Sequence, residues 1–368
     1  MINKTSSDFK RIVIEEIPLI DVRAPVEYEN GAFKNSVNLP IMNDEERRLV
    51  GICYKEKGNG EAVILGHKLV SGDVKQSRVD SWSSFIEKNP DCMLYCFRGG
   101  QRSAISQEWI YEATGKEITR LEGGYKAFRN YLINELEPSR QKAIPVLLGG
   151  YTGSGKTKLL KKLENCIDLE GLANHRGSTF GRYITPQPTQ IDFENNLAYD
   201  MIHHKNKSYK YVILEDEGAH VGRCYVPKPL YQFFSSGDYV LVDLPIEKRV
   251  QNTLDEYVIQ AQISYVKMFG EEQGFKEWSD YIGSSIARIK KRLGGDRCKL
   301  ILDAFELAFK EQMNSGKHSS HEGWIELLLK EYYDPMYHHQ LQNSNRKILF
   351  RGNDNEVLEY MKSLNQIF

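Results

Sequence analysis

The stretch that most constrains the fold is GGYTGSGKT at residues 149–157. It contains the pattern G-x4-G-K-[ST] and lies between an apolar, strand-like run at 145–148 and a helix-like run at 159–163. In that context the backbone N–H groups surround phosphate, the lysine contacts the terminal phosphate, and the threonine holds Mg²⁺ if metal is used. We therefore predict a phosphate-binding loop (P-loop) in a parallel α/β domain. Its predicted phosphate ligands are Gly150, Thr152, Gly153, Ser154, Gly155, Lys156 and Thr157.

Two later apolar runs, at 211–216 and 238–245, end in acidic residues. The carboxyl ends of parallel strands meet at one edge of a sheet, so these acids are expected near the P-loop. Glu215, Asp216 and Glu217 end the first run and Asp243 ends the second. Either strand end could supply the acid that acts with the loop, and the sequence does not choose between Asp216 and Asp243. The alternative is that these acids only cap the ends of their strands and take no part in the phosphate site.

The polar, glycine-rich stretch at 168–181 directly follows the first helix after the P-loop. In a doubly wound sheet this position overlooks the phosphates, so we expect His175 and Arg176 to add charge there. The alternative is a plain surface loop.

A second loop with anion-binding character is YCFRGGQRS at 95–103. Here a cysteine ends an apolar run, and a short loop with glycines and arginines leads into a helical pattern. Backbone N–H groups at a helix N-terminus favour a thiolate and an anion. We predict a reactive cysteine, as a nucleophile or a persulfide carrier, although a buried structural cysteine is the common alternative. The residues concerned are Cys96, Arg98, Gly99, Gly100 and Arg102.

The segment LIDVRAPVEYENGAFKNSVNLP followed by YCFRGGQRS resembles the rhodanese (sulfurtransferase) family. In that family an Asp-Val-Arg motif ends one strand and the active cysteine ends another, which implies that Asp21 and Arg23 belong to the catalytic site. Five residues separate Cys96 from Arg102, more than in common single-domain rhodaneses. This wider loop also resembles that of the rhodanese-like dual-specificity phosphatases, which implies room for a phosphate.

At 368 residues the chain is long enough for two or three domains. The polar segment 134–145 holds two prolines and is interpreted as a linker. We therefore predict a rhodanese-like parallel-sheet domain at 1–137. A P-loop α/β domain is predicted at 138–368, with a helical extension at about 254–333.

Several function classes are excluded by composition. No run of eighteen apolar residues is present and the N-terminus lacks an apolar signal stretch, so we expect a cytoplasmic protein without a membrane partner. The six cysteines form no CxxC pair, so neither a zinc site nor a disulfide framework is expected. A formal net charge of −1 requires any nucleic-acid contact to use a local cluster of cations.

The densest such cluster lies in ARIKKRLGGDRCK at 287–299, where a surface able to neutralise RNA phosphates is one interpretation and a solvated helix face is the other. The candidate tRNA-binding residues are Arg288, Lys290, Lys291 and Arg292. The stretch YYDPMYHHQ at 332–340 holds aromatics that either stack on bases or pack in a core.

A rhodanese-like module with this wide loop, fused to a P-loop module that contains DLEGLANHRGS and YYDPMY, resembles the bacterial tRNA 2-selenouridine synthase family. The resemblance implies that the wobble 2-thiouridine of tRNA becomes 2-selenouridine through an S-geranyl-2-thiouridine intermediate. It also implies the co-substrates geranyl diphosphate and selenophosphate, with no tightly bound cofactor. Cys96 would then attack selenophosphate, and the P-loop would hold the diphosphate.

Two other hypotheses compete with this one. The first is a tRNA sulfurtransferase coupled to an ATP-using, kinase-like P-loop domain. The second is a regulatory module that senses nucleotide on a rhodanese scaffold. The retained Cys96, Arg98 and Arg102 argue against the scaffold hypothesis.

Overall fold

The structure, a computed structural model, describes residues 3–368. The described chain forms two compact units. One runs up to Gln141 and includes Thr189–Asn206, and the other comprises Lys142–Pro188 and Lys207–Phe368. A helix from the middle of the P-loop half of the sequence therefore packs in the first unit.

The strands, in chain order, are β1 (Thr5–Ser6), β2 (Leu19–Asp21), β3 (Ser36–Asn38), β4 (Met93–Tyr95), β5 (Thr119–Leu121), β6 (Ile144–Gly150), β7 (Cys166–Ile167), β8 (Tyr211–Glu215), β9 (His220–Val221), β10 (Cys224–Tyr225), β11 (Asp238–Val242) and β12 (Ile348–Gly352). The α-helices are α1 (Phe9–Ile14), α2 (Pro25–Glu29), α3 (Asp44–Lys57), α4 (Asn59–Leu69), α5 (Gly72–Lys88), α6 (Gln101–Thr114), α7 (Gly124–Glu135), α8 (Lys156–Leu160), α9 (Leu169–Ala173), α10 (Gln190–Asn206), α11 (Lys228–Phe234), α12 (Ile246–Thr253), α13 (Gln260–Phe269), α14 (Glu271–Arg288), α15 (Lys290–Leu293), α16 (Gly295–Ser315), α17 (Glu322–Leu328), α18 (Asp334–Gln342) and α19 (Asp354–Ser363). Short π-helical segments occupy Leu254–Ile259 and Leu329–Tyr333.

The first unit is built on a five-stranded parallel sheet in the order β1-β5-β4-β2-β3. All three residues of β4 and of β2 are buried, as expected for central strands covered by helices on both faces. The parallel arrangement brings the carboxyl ends of β2 and β4 together at one edge. The Asp-Val-Arg motif and the cysteine loop therefore leave the sheet side by side.

The sequence pattern at 12–23 predicts two short strands, and the first of them is wrong. Residues Phe9–Ile14 form α1 instead, and only Leu19–Asp21 is a strand. The Asp8 side chain accepts a hydrogen bond from the Arg11 N–H and so begins the helix. A short apolar run does not by itself distinguish a strand from a buried helical turn.

Helix α10 joins the first unit through a buried polar side chain as well as apolar packing. The Asn195 Nδ2 donates to the Ala32 carbonyl at 2.6 Å, and Arg129 Nη1 donates to Asn195 Oδ1 at 2.8 Å. Phe193 and Leu197 are fully buried on the same helix. The sequence pattern did not indicate this return to the first unit.

The second unit has a five-stranded parallel sheet in the order β12-β11-β6-β8-β7. Strand β6, which leads into the P-loop, is the central strand, with β11 on one side and β8 on the other. Both predicted acid-ending strands thus flank the P-loop strand. The mixed α/β class predicted for both halves of the chain is confirmed.

From α12 to α18 the chain is helical, in agreement with the pattern from about residue 254 onward. These helices have a separate core that contains the fully buried Trp278 and Trp324. Within residues 3–368 no helix has the length and apolar character needed to cross a membrane.

Candidate functional site

Cys96 follows β4 directly and is buried. Its Sγ donates to Ser103 Oγ at 3.2 Å, and the Ser103 hydroxyl donates in turn to the Gly100 carbonyl at 3.0 Å. Ser103 lies in the first turn of α6, so the thiol is positioned at the N-terminal end of this helix. The sequence analysis did not select Ser103, although its place in the motif made it available.

Two glycines allow the cysteine loop to pack tightly against the turn before α7. A Cβ on Gly124 would lie 2.2 Å from the Cys96 carbonyl oxygen, and one on Gly99 would lie 2.8 Å from the Gly123 nitrogen. Both glycines have positive φ, at +64° for Gly99 and +59° for Gly124. The Tyr125 N–H donates to the Cys96 carbonyl at 2.9 Å. The loop is therefore supported by backbone contacts that no residue with a side chain would allow.

The two predicted arginines of this loop have different surroundings. Arg98 is exposed, whereas Arg102 forms a bidentate ion pair with Glu27, at 2.6 Å and 3.2 Å. Arg47 also contacts Glu27, with an Nε–Oε2 distance of 2.9 Å. Burial opposes the charge of Glu27, but the hydrogen bond and charge of Arg102 and the charge of Arg47 hold its pKa below the ordinary value. An internal carboxylate thus balances Arg102.

Asp21 and Arg23 satisfy each other in the interior. Arg23 Nη2 lies 2.6 Å from Asp21 Oδ2, and its guanidinium lies over the Tyr125 ring at 3.9 Å from the centroid. Both side chains are buried, and Arg23 also donates to the Gly31 carbonyl at 2.9 Å. This arrangement suits a pair that holds the surrounding loops in place.

Two side chains of helix α12 donate hydrogen bonds to backbone carbonyl groups of the P-loop. Arg249 Nε donates to the Thr152 carbonyl and Asn252 Nδ2 donates to the Gly153 carbonyl, both at 2.9 Å. A Cβ on Gly153, whose φ is +81°, would lie 2.6 Å from the Arg249 carbonyl oxygen. Arg249 is itself held by Asp334, with an Nη1–Oδ2 distance of 3.0 Å. Asp334 belongs to the YYDPMY stretch, so this motif supports the P-loop indirectly, through Arg249.

Lys156 and Thr157 begin the helix after the P-loop. Lys156 Nζ donates to the Gly150 carbonyl at 2.8 Å, and Thr157 Oγ1 donates to Glu215 Oε1 at 2.7 Å. Glu215 ends β8 and is the strand-end acid that contacts the loop. Glu215 is one of the strand-end acids named from the sequence; of the others, Asp216 faces Arg346 at 3.5 Å and Asp243 is exposed.

Two carboxyl groups, Glu170 and Glu215, contact Thr157, and a third, Glu217, is a hydrogen-bond partner of Glu170. Burial, followed by the charges of Glu215 and Glu217, raises the pKa of Glu170 to about 10. Burial also raises the pKa of Glu215 to about 7, against the opposing hydrogen bond from Thr157. Burial raises the pKa of Glu217 as well. At neutral pH this cluster therefore retains protons unless a cation enters. The sequence analysis missed Glu170, which lies within the segment predicted to overlook the phosphates.

That segment places its two predicted cations differently. Arg176 lines the P-loop cavity, pairs with Glu256 at 2.8 Å and lies over the Tyr183 ring at 4.0 Å. His175 is partly buried, and burial together with the charge of Arg176 lowers its pKa. The lowered pKa favours the neutral imidazole, and His175, unlike Arg176, does not line the P-loop cavity.

The P-loop borders a cavity of about 470 Å³. One wall is the phosphate loop with Lys156 and Thr157, and aromatic or thioether side chains line other parts of the cavity. These side chains are Tyr183, Tyr257, Tyr333, Met336 and Tyr337. The aromatics of 332–340 are thus divided between the helical core and this cavity.

The predicted RNA-binding segment is mostly exposed. Lys290, Lys291 and Arg292 are exposed on α15. Arg288 donates to Ser285 Oγ at 2.6 Å from the end of α14. The geometry is compatible with both interpretations of this segment.

Comparison with known proteins adds independent information. Residues 143–367 match a family model described as the tRNA 2-selenouridine synthase AAA domain, and residues 5–131 match one described as a rhodanese-like domain. A tRNA 2-selenouridine synthase from Sulfurovum sp. (strain NBC37-1) is 55% identical over 97% of this chain and 98% of its own length. Proteins of the same name from Hydrogenovibrio crunogenus (strain DSM 25203 / XCL-2) and Shewanella frigidimarina (strain NCIMB 400) are 50% and 44% identical, each over 97% of this chain. They are covered over 98% and 97% of their own lengths.

Proposed function

Because this chain belongs to the tRNA 2-selenouridine synthase family, we propose that it converts wobble 2-thiouridine in tRNA to 2-selenouridine in two steps. In the first step the P-loop unit transfers a geranyl group from geranyl diphosphate to the sulfur of 2-thiouridine. In the second step the cysteine loop supplies selenium from selenophosphate, and geranyl thiol leaves carbon 2. The enzyme would act in the cytoplasm.

The observation that carries this proposal is the composition of the P-loop cavity. A phosphate loop lies with tyrosine and methionine side chains in a space of about 470 Å³. A ligand with a diphosphate at one end and an apolar chain at the other matches both surfaces. The loop N–H groups and Lys156 would stabilise the charge that develops on the diphosphate as the C–O bond breaks.

Mg²⁺ fits the same loop. Mg²⁺ prefers oxygen ligands and usually combines one or two carboxylates with substrate phosphates. Glu215 is buried, its Oε2 atom lacks a hydrogen-bond partner, and its other oxygen contacts the Thr157 hydroxyl. Within residues 3–368 no group of three or more His, Cys, Asp or Glu side chains is arranged to hold a metal unaided. We infer that Thr157 and Glu215 would hold Mg²⁺ together with the diphosphate, whose charge it would neutralise.

In the cysteine loop, we propose that the Cys96 thiolate attacks the phosphorus of selenophosphate. The Se–P bond breaks, selenium leaves as hydrogen selenide anion, and the Cys96 sulfur carries the phosphoryl group until water hydrolyses the S–P bond to release phosphate. The selenide attacks carbon 2 of the geranylated nucleoside, and geranyl thiol leaves. Arg98, Arg102 and the N–H groups of Gly99 and Gly100 would hold the phosphate, and the buried Asp21–Arg23 pair would position the loop. The Cys96 thiol already contacts Ser103, which can hold its orientation.

The tRNA would present its wobble base from a single-stranded loop, which can splay out of the stack. The surrounding phosphates need cations, and the exposed Lys290, Lys291 and Arg292 form the densest cluster in the sequence. We propose this segment as part of the tRNA surface.

Nucleoside mass analysis of a 2-thiouridine tRNA tests the proposal. Incubation with geranyl diphosphate alone should yield S-geranyl-2-thiouridine, and addition of selenophosphate should convert it to 2-selenouridine. An ATP-coupled sulfurtransferase would instead release ADP in the presence of substrate and leave the geranyl diphosphate unused. The absence of geranylated nucleoside in the first incubation would reject the proposed first step.

A further inference from the structure

A large cavity of the first unit lies beside the cysteine loop. It has a volume of about 990 Å³ and is lined by Phe97, Gln101 and Arg102 from the loop and the start of α6. Ile105 and Trp109 continue this wall along α6. This volume is at the upper end of the range for pockets that enclose a ligand of nucleoside or drug size. It is far larger than selenophosphate requires.

The opposite wall of this cavity is the hairpin of α3 and α4. Although α3 has fourteen residues, none of them is buried, and α4 buries only Ala62. Yet the hairpin turns apolar side chains, among them Val50, Ile52 and Val63, toward the cavity. An amphipathic hairpin normally gains its stability by burying such a face. Val50 also packs against the core of the first unit, but Ile52 is 40% exposed and Val63 is half-buried, so part of that face remains open to a ligand.

The lining is amphipathic in a way that matches one substrate. Most of the surface is apolar, whereas Glu27, Arg47 and Arg102 lie together at the side of the cysteine loop, with two arginines for one carboxylate. The ligand must therefore be a long apolar group attached to a polar, anionic body. It must also end next to the loop at which selenophosphate releases its selenium. An S-geranylated nucleotide has this composition.

We propose that the cavity between the α3–α4 hairpin and the cysteine loop binds the geranyl group of S-geranyl-2-thiouridine, so that carbon 2 is presented to the cysteine loop. The inference rests on the proposed function and deepens it. Geranylation would then have two roles. The S-geranyl group activates carbon 2 because it departs as geranyl thiol, and its apolar chain also anchors the nucleoside beside the cysteine loop.

Binding of anticodon stem-loop RNA by the full chain, without selenophosphate, tests this proposal. The probes carry S-geranyl-2-thiouridine or S-methyl-2-thiouridine at the wobble position. Each buried methylene changes affinity about fourfold, so burial of a few carbons should give a preference of at least about 100-fold for the geranyl probe. Only the difference in affinity between the two probes measures binding of the geranyl group in the cavity.

Gly66 offers a way to fill the cavity without strain. It lies on α4 and lines the cavity, and a Cβ there meets only Val50 Cγ2, at 3.8 Å. Gly66→Leu should reduce the preference for geranyl to below about threefold and leave S-methyl RNA bound as before. Gly60→Leu is the matched control, because Gly60 lies on the same helix, outside the lining, with open space around it. It should keep the preference.

A second variant, Val63→Asn, makes the cavity wall polar without filling the cavity. It replaces Gly66→Leu in the test if thermal melting shows that Gly66→Leu does not fold. Retention of the full preference in a folded variant would overturn the proposal. So would weakened binding of geranyl diphosphate, since the cavity would then serve the donor. If the wild-type chain shows no preference but still converts geranylated RNA with selenophosphate, this inference alone fails. If it does not convert that RNA, the proposed function fails with it.

Discussion

The two anion-binding loops of this chain begin alike and differ in how their charge is balanced. Each follows a buried strand of a five-stranded parallel sheet, and each uses a glycine with positive φ that touches neighbouring backbone. In the cysteine loop the cation Arg102 is paired with an internal carboxylate, Glu27. In the P-loop carboxyl groups are in excess: Glu170 and Glu215 contact Thr157, Glu217 lies beside Glu170, and burial raises the pKa of all three.

This difference indicates what each loop requires from its ligand. In the cysteine loop Arg102 is already paired with Glu27, so an incoming anion must compete with that carboxylate for Arg102. The P-loop holds carboxyl groups that cannot all ionise without a counter-charge, so it is suited to an anion that arrives with a cation. One loop therefore suits a small anion that exchanges readily, and the other suits a diphosphate with Mg²⁺.

The sharpest test of this separation is the variant Cys96→Ala. We expect selenium transfer to fall at least about 1,000-fold, because the nucleophile is lost, while geranylation stays within about twofold. Nucleoside mass analysis with each co-substrate measures both steps. Cys53→Ala controls for loss of a thiol, since Cys53 lies on α3 outside the cysteine loop. Equal loss of both activities in a folded Cys96→Ala protein would contradict separate roles.

The corresponding change in the P-loop is Lys156→Ala. Loss of one charge-assisted contact should weaken geranyl diphosphate binding by about 1.5–3 kcal/mol, or roughly 10- to 100-fold, with a parallel loss in geranylation rate. Calorimetric titration measures the binding. Lys162→Ala is the matched control, because Lys162 is exposed and lies outside the cavity lining. Unchanged geranylation together with lost ATP turnover would favour the kinase-like hypothesis.

Local patterns were sufficient to predict the positions of both loops. The P-loop and the loop after Cys96 each lie between an apolar run and a helical pattern, and glycines mark the turns. Such signals act within a few residues along the chain, so one sequence is enough to read them. The strands at 211–216 and 238–245 were predicted for the same reason, whereas their places on either side of β6 are known only from the structure.

The electrostatic partners of the loops could not be predicted, because they are distant in sequence. Glu27 lies seventy-five positions before Arg102, and Glu215 lies fifty-eight positions after Thr157. A charged residue in a polar segment has many potential partners, and only packing selects one. The return of α10 to the first unit escaped prediction for the same reason, since buried contacts such as Asn195 with Ala32 decide it.

A smaller effect is expected on the tRNA surface, where neither loop is altered. Reversal of Lys290, Lys291 and Arg292 to glutamate should weaken tRNA binding about tenfold at moderate salt. The slope of log affinity against log salt should flatten by about two units, because fewer counterions are released. Binding of geranyl diphosphate should not change. Filter binding over a salt series measures the first two effects.

Three scattered exposed cations of the helical extension provide the matched control, as Lys267→Glu, Lys310→Glu and Lys317→Glu combined. The two proteins carry the same net charge, so a difference between them reports on position. If both lose tRNA affinity equally, the effect is general charge and the segment at 287–299 is a solvated helix face.

The smallest expected effect addresses the charge balance itself, through Glu27→Gln. Because the pKa of Glu27 is held below its ordinary value, the side chain is ionised at neutral pH and competes with any anion for Arg102. Glutamine keeps the shape and one acceptor but removes the charge, so inorganic phosphate should inhibit selenium transfer about three- to tenfold more strongly. Glu45→Gln is the control, since Glu45 pairs with Arg48 on α3, where both side chains are exposed. Weaker inhibition of Glu27→Gln by phosphate would mean that Glu27 holds the Arg102 guanidinium in position to bind the anion. The cysteine loop would then resemble the P-loop in needing its carboxylate.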